Sequence, residues 1–79
     1  RDLALSEVYG RVVSLFGKLA VPEDGKQVIR QRLTHQEIAN MVGASREMIS
    51  KILKDLAVGG YITIDSKIIT LNKRLPAKW

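Results

Sequence analysis

Apolar residues recur at three- and four-residue spacings over the first twenty positions of the chain. This spacing places them on one face of an amphipathic helix, which we expect to run from about Asp2 to Ala20. Gly10 and Gly17 lie within that segment and should each disfavour the helix by about 1 kcal/mol relative to alanine. We therefore expect them to permit close packing against a neighbouring helix. The apolar positions are Leu3, Leu5, Val8, Val12, Leu15, Phe16 and Leu19.

The helical spacing stops at a segment that contains both proline and glycine. Pro22 to Lys26 has the composition of a turn or loop. Val28 to Leu33 follows, with β-branched residues and with Ile29 and Leu33 on one face of an extended chain. We predict a loop over the first segment and a short strand over the second.

A second helical segment is interrupted by glycine after about two turns. Thr34 is a suitable N-cap, and Glu37 three residues later completes a capping box. Gly43 can adopt the left-handed conformation that ends a helix, and Ser45 can cap the next helix, which should extend to about Val58. The residues expected to face the interior are Ile38, Met41, Val42, Ala44, Ile49, Ile52, Leu53 and Leu56.

Two β-rich runs follow the pair Gly59–Gly60. They extend from Tyr61 to Ile64 and from Lys67 to Leu71, with Asp65–Ser66 between them. Two such runs separated by a short polar pair predict a β-hairpin. The remaining residues, 72–79, form a basic tail that we expect to be frayed and solvated.

The order of these elements predicts an α+β fold. Two short helices joined by a glycine-containing turn make a helix-turn-helix, and Ala39 is small enough to let the two backbones approach where they cross. With about three helices, a small antiparallel β-sheet and a C-terminal hairpin as the wing, the expected architecture is a winged helix-turn-helix. We predict one domain over residues 1–79, with a first helix at 1–20, the helix-turn-helix at 34–58, the wing at 61–71 and the tail at 72–79.

Composition limits the protein class. The chain has 79 residues, 46% hydrophobic and 27% charged, which suffices for one small core. It has no cysteine, which excludes disulfides and cysteine-ligated metals. No apolar run reaches the roughly 18 residues of a membrane helix, so we expect no membrane partner and a cytoplasmic protein. Because the sequence starts at Arg1, we interpret it as part of a longer protein.

The net charge of +5 and the pI near 9.9 favour an anionic partner such as nucleic acid. The sequence offers no nucleophile–base pair, no cluster of metal ligands and no phosphate-cradling glycine loop. We therefore expect no catalysis, no metal and no cofactor in this domain.

The second helix of the pair, residues 45–58, carries the candidates for reading DNA bases. In a DNA-binding helix-turn-helix, the N-terminal part of this helix enters the major groove. Arginine can donate two hydrogen bonds to guanine, and glutamate can accept one from cytosine. The side chains that the core does not require are Arg46, Glu47, Ser50 and Lys51.

Six further side chains are candidates for contacts to the DNA backbone, which position the domain without reading sequence. The simpler alternatives stay open: Thr34 and Ser45 as helix caps only, His35 as an ordinary surface histidine, and the lysines as a solvated face. The alternative function is a winged-helix protein interaction module whose Arg46–Lys51 face contacts an acidic protein. The six candidates are Thr34, His35, Gln36, Ser45, Lys54 and Lys67.

The run LTHQEIANMVGASREMISKILKDL, followed by a glycine pair and a short hairpin, resembles the C-terminal domain of the Crp/Fnr family of bacterial transcription regulators. The segment EVYGRV resembles the first helix of that domain, and the resemblance covers essentially all 79 residues. The chain is most similar to the cAMP-receptor branch, in which Arg-Glu and an arginine beyond three further residues read the half-site. The resemblance implies base contacts by Arg46, Glu47 and Lys51.

The same resemblance implies phosphate contacts by Thr34, Gln36 and Ser45. Two departures alter the pattern. Lys51 replaces the usual arginine and cannot make its planar two-pronged contact, and Met48 stands where the branch commonly has threonine.

The resemblance also implies partners beyond this chain. The family has an N-terminal cyclic-nucleotide-type sensor and a dimerisation helix, so any cyclic nucleotide would bind outside this domain. The full-length protein is expected to be a homodimer on a two-fold symmetric operator with half-sites ~34 Å apart. This domain alone should be largely monomeric and bind weakly. The segment from Pro22 to Lys26 resembles the region with which some members contact RNA polymerase.

Overall fold

Three helices and four strands follow one another along residues 3–78, the part of the chain that the computed structural model describes. The strands form one antiparallel sheet in the order β1-β2-β4-β3. The predicted α+β winged helix-turn-helix is confirmed, while the predicted helix start at Asp2 and the tail end at Trp79 lie outside the described residues. The elements are α1 (Leu5–Leu19), β1 (Val21–Glu23), β2 (Lys26–Ile29), α2 (His35–Val42), α3 (Arg46–Val58), β3 (Ile62–Asp65) and β4 (Ile68–Leu71).

One apolar cluster joins the three helices to the sheet. Helix α1 contacts both α2 and α3, and α3 contacts β3. Most of the expected core positions are buried, but Met41 is 55% exposed, so its assignment to the buried stripe of α2 was wrong. Helix α2 is only eight residues long, and Ile38, Ala39 and Val42 already complete its buried face. The core comprises Val8, Tyr9, Val12, Phe16, Ile29, Ile38, Ala39, Val42, Ile49, Ile52, Leu53, Leu56, Ile62 and Ile69.

The glycines of α1 do not mediate helix packing. Gly10 and Gly17 are exposed, and a Cβ added at either would meet nothing within 4 Å. The buried face of this helix is formed by larger side chains instead, among them Val12 and Phe16. The expected close approach of a neighbouring helix is therefore wrong.

A hairpin occupies the segment where the sequence indicated a loop. Pro22 lies within β1, whose pairing with β2 runs from Val21 opposite Val28 to Glu23 opposite Lys26. Strand β1 is at the sheet edge, where the missing N–H of a proline is tolerated. The predicted strand from Val28 to Leu33 instead begins at Lys26 and ends at Ile29, and the chain then leaves the sheet to start α2.

The wing hairpin turns one residue later than predicted. Its two turn residues are Ser66 and Lys67, with φ of 50° and 66°, and Asp65 pairs with Ile68 as the last rung of the ladder. Two consecutive residues with positive φ give the turn whose twist matches a two-residue hairpin. Tyr61, predicted as the first strand residue, precedes β3.

The C-terminal segment packs against the domain rather than fraying. The Tyr9 hydroxyl donates to the Pro76 carbonyl oxygen at 2.5 Å, and Leu75 is half-buried against the core. Lys73 Nζ lies 4.5 Å from the centre of the Tyr61 ring, a cation–π contact. The prediction of a frayed tail was wrong for this segment, because it covers apolar surface between α1 and the start of the wing.

Candidate nucleic-acid interface

The turn between α2 and α3 is built from a buried alanine and a left-handed glycine. Ala39 is fully buried, and its carbonyl oxygen accepts hydrogen bonds from the N–H groups of Gly43 and Ala44, both at 2.9 Å. Gly43 has a φ of 76°, which would strain any residue with a side chain. The predicted helix stop is confirmed, and the turn fixes the direction in which α3 leaves α2.

Helix α1 holds this turn from the other side. Arg11 Nη1 donates to the carbonyl oxygen of Val42 at 3.0 Å. The last carbonyl groups of a helix lack hydrogen-bond partners within it and form the negative end of its dipole. A guanidinium at this end supplies both a hydrogen-bond donor and a positive charge. Sequence spacing did not indicate this role, because the two residues are far apart in the chain.

Helix α3 presents one apolar and one charged face. Ile49, Ile52, Leu53 and Leu56 are buried. On the other face, the side chains of Arg46 and Glu47 are 56% and 76% exposed, as their position in the first turn indicated, and they form an ion pair at 3.6 Å. Lys51 and Lys54 are also exposed, and Lys51 Nζ lies 3.1 Å from Asp55 Oδ2 one turn on.

The predicted helix caps are both present. Thr34 Oγ1 accepts from the Glu37 N–H at 3.0 Å, and Glu37 Oε1 accepts from the Thr34 N–H at 2.8 Å. The hydrogen bond from the Thr34 backbone, helped by the Thr34 side chain and the charge of Lys67, lowers the pKa of Glu37. Ser45 Oγ accepts from the Met48 N–H at 3.2 Å.

Two candidate residues that the sequence treated separately contact each other. His35 Nδ1 and Ser50 Oγ are 2.7 Å apart, and both residues are half-buried. This hydrogen bond joins the first turn of α2 to the middle of α3. Fifteen positions separate the two residues, so no helical or strand periodicity could have indicated the contact.

The wing brings Lys67 to the same end of α2. Lys67 and Ile64 line a cavity of about 180 Å³ together with Thr34, His35 and Leu53. The neighbouring candidate Gln36 is exposed, and its Nε2 donates to Asn40 Oδ1 at 2.9 Å. The structure thus gathers the start of α2, the face of α3 and the wing tip into one surface, which we call the α2–α3–wing face. Its candidate members are Thr34, His35, Ser50 and Lys67.

Two findings concern other kinds of site. Among residues 3–78, histidine, aspartate and glutamate side chains nowhere gather in a group of three that could hold a metal ion. None of the helices in that range combines the length and the apolar character that a bilayer crossing needs.

Comparison with known proteins identifies the fold. Residues 10–75 match the family model described as the Crp-like helix-turn-helix domain. The chain belongs to this family. The resemblance to the Crp-type helix-turn-helix domain that was inferred from the sequence is therefore confirmed.

The relatives of this Crp-like domain are longer regulators. It is 37% identical over 75 residues to the CRP-like cAMP-activated global transcriptional regulator of Mycobacterium tuberculosis, covering 90% of this chain and 34% of the relative. It is 36% identical over 76 residues to the cAMP-activated global transcriptional regulator Vfr of Pseudomonas aeruginosa, covering 89% and 34%. The chain thus spans about a third of the curated relatives it matches.

A solved structure gives the same picture. A Crp/Fnr-family transcriptional regulator from Thermus thermophilus superposes with a TM-score of 0.66 and 32% identity, over 91% of this chain and 37% of that one. The Crp-like domain therefore shares both sequence and backbone arrangement with a regulator of this family.

Proposed function

We propose that this Crp-like domain binds duplex DNA sequence-specifically and places α3 in the major groove. The observation that carries the proposal is the exposure of Arg46 and Glu47 on the first turn of α3, beyond a rigid glycine turn. Arg46 is assigned to guanine O6 and N7, Glu47 to cytosine N4, and Ser50 and Lys51 to further base edges.

The ion pairs seen on α3 do not oppose this role. An exposed ion pair such as Arg46–Glu47 contributes about 0.2–1 kcal/mol, whereas a good bidentate base contact discriminates by about 1–3 kcal/mol. The Lys51–Asp55 pair is also exposed and contributes equally little, so Lys51 can leave Asp55 for a single hydrogen bond to a base or a phosphate. It is therefore favourable for Arg46 to leave Glu47, and for Lys51 to leave Asp55, in order to bind a base or a phosphate.

The helix caps remain able to bind phosphates. Thr34 and Ser45 use an oxygen lone pair to accept the capping hydrogen bond, so each hydroxyl proton stays available for a phosphate oxygen. Their contacts would position the domain, with the help of the positive ends of both helices. The remaining backbone contacts are assigned to His35, Gln36, Lys54 and Lys67.

The assembly extends beyond this domain. Because the chain spans about a third of its curated relatives, we assign effector sensing and dimerisation to other parts of a longer regulator. Two copies of the domain would each bind one half-site of a symmetric operator, with the half-sites ~34 Å apart. In this assembly the segment from Pro22 to Lys26, which includes exposed Asp24 and Lys26, is assigned to RNA polymerase. Any cofactor is assigned to the other parts of the regulator.

Selection from a random pool of duplex oligonucleotides tests the proposal. The protein should enrich a defined motif, and its affinity for that motif should fall steeply with salt, because phosphate contacts release counterions. Equal binding to unrelated duplexes would show that α3 reads no bases. Binding to an acidic protein without any enrichment of DNA would instead support the interaction-module alternative.

A further inference from the structure

The hydrogen bond between α2 and α3 involves a residue assigned to a base and a residue assigned to a phosphate. His35 Nδ1 lies 2.7 Å from Ser50 Oγ, within the normal range for a hydrogen bond. Ser50 sits one turn beyond Arg46 on α3 and is half-buried. Its hydroxyl is therefore not an independent reader, because one of its hydrogen-bonding sites is already used.

The hydrogen-bonding capacity of the two groups limits what Ser50 can offer. A serine hydroxyl has one proton to donate and lone pairs that accept. A neutral imidazole has one donor and one acceptor nitrogen, whereas a protonated imidazole has two donors. The direction of the His35–Ser50 hydrogen bond therefore depends on the protonation state of the ring.

We infer that His35 is a positioning residue that sets whether Ser50 presents an acceptor or a donor to DNA. The inference rests on the proposed function. If His35 Nε2–H faces a phosphate, which can only accept, Nδ1 of the neutral ring is an acceptor and takes the Ser50 proton. Ser50 then offers only lone pairs, which suit the N6 amino group of adenine or the N4 amino group of cytosine.

Protonation of His35 reverses this polarity. Nδ1 becomes a donor, so Ser50 Oγ must accept from it and the hydroxyl proton turns away from the ring. Ser50 then donates, which suits guanine O6 and N7 or thymine O4. His35 thus determines base preference at one position without touching a base.

Charged groups surround this pair on every neighbouring element. Lys67 of the wing lines the same cavity as the ring, and Glu37 lies on the same helix turn as His35. Carboxylates, lysines and arginines ordinarily keep their charge between pH 5 and 8, whereas histidine ordinarily does not. The charged residues on the exposed face of α3 near Ser50 are Arg46, Glu47, Lys51 and Lys54.

The test is duplex selection from a random pool at pH about 5 and about 8. The wild-type protein should prefer adenine or cytosine at one position at the higher pH and guanine or thymine there at the lower pH. A change of one hydrogen bond corresponds to about a three- to tenfold change in relative affinity at that position. The same base preference at both pH values would overturn the inference.

Three variants separate the roles of the two side chains. Ser50→Ala should lose the pH-dependent change in base preference. It should still bind all duplexes more tightly in acid, as the wild type should, because a protonated His35 attracts the DNA phosphates. His35→Ala should lose both. His35→Asn can still hydrogen-bond Ser50 but does not titrate, so it should bind one motif whose base preference does not change with pH.

The outcomes distinguish this inference from the proposed function. If the domain does not read sequence, no motif is enriched at either pH. If it reads sequence but His35 has only a structural role, the motif is enriched and is identical at both pH values. A pH-dependent base preference that persists in Ser50→Ala would also overturn the inference, and circular dichroism at both pH values verifies that each variant is folded.

Discussion

Replacing Ala39 by leucine tests how α3 is aimed. Ala39 is 0% exposed at the crossing of α2 and α3, and its carbonyl oxygen is bonded to the turn residues Gly43 and Ala44. Leucine adds three carbon atoms. In an existing void, these would stabilise the fold by about 0.8 kcal/mol each. The site has no exposed surface and a tightly bonded backbone, so steric strain should exceed this gain.

The expected destabilisation is about 1–3 kcal/mol, the usual result of inserting methylene groups into a filled core. For a domain of this size, about 1 kcal/mol lowers Tm by roughly 4–8 °C. The melting temperature of Ala39→Leu should therefore fall by roughly 4–24 °C. Alanine and leucine have similar helix propensity, so the change reports packing rather than helix formation.

Thermal unfolding followed by circular dichroism measures this shift, and fluorescence anisotropy with a selected duplex measures binding. Ala57→Leu is a matched control, since it makes the same change at an exposed position of α3, and its free energy of unfolding should move by less than about 0.5 kcal/mol. At temperatures where Ala39→Leu is still folded, its DNA affinity should be reduced because α3 is misaimed. Unchanged melting together with unchanged affinity would refute this account of the crossing.

Three further outcomes are expected. Arg46→Ala should weaken binding to the selected motif by about 1–3 kcal/mol and relax one base position, measured by competition between duplexes; an equal loss on all sequences would make Arg46 a phosphate contact. Glu37 has a pKa below its ordinary value of 4.5, so its stabilisation is present above that pH and is lost as pH falls through the folded-state pKa. Acid melting curves should therefore show a larger decrease in Tm for wild type than for Glu37→Gln, and identical decreases would contradict this. Arg11→Met should reduce the free energy of unfolding by about 1–3 kcal/mol, because the Val42 carbonyl oxygen loses a charged hydrogen-bond donor. Urea titration measures this loss, and a smaller loss would mean that another donor replaces Arg11.

The helices could be predicted from sequence because their determinants are local. The capping pair Thr34 and Glu37 lies within four residues, and Gly43 adopts the left-handed conformation that the turn requires. The burial of Ile49 and Ile52 follows from helical spacing alone. Such signals act over one or two turns, so a single sequence is enough to interpret them.

The strand errors have a different cause, since they depend on neighbours distant in sequence. Pro22 disfavours a strand in isolation, yet it is accommodated in β1 because that strand has a partner on only one side. Ser66 and Lys67 carry no glycine or asparagine signal for positive φ. The pairing of β3 with β4, which ends at Asp65 opposite Ile68, nevertheless places the turn at these two residues. Strand pairing therefore outweighs the local conformational preference of the turn residues.

In the candidate interface, too, some features follow from local spacing and others depend on residues that are distant in the sequence. Once Ile49, Ile52, Leu53 and Leu56 define the buried face of α3, the exposure of Arg46 follows, because they all belong to one helix. The His35–Ser50 contact depends instead on the angle at which α3 crosses α2, which the turn at Gly43 and the packing of Ala39 determine. Sequence spacing can therefore nominate side chains that face a partner, but it cannot show which of them are already bonded to each other. For this domain the difference concerns one candidate reader: Ser50, which spacing presents as independent, is hydrogen-bonded to His35, and we propose that this bond sets its base preference.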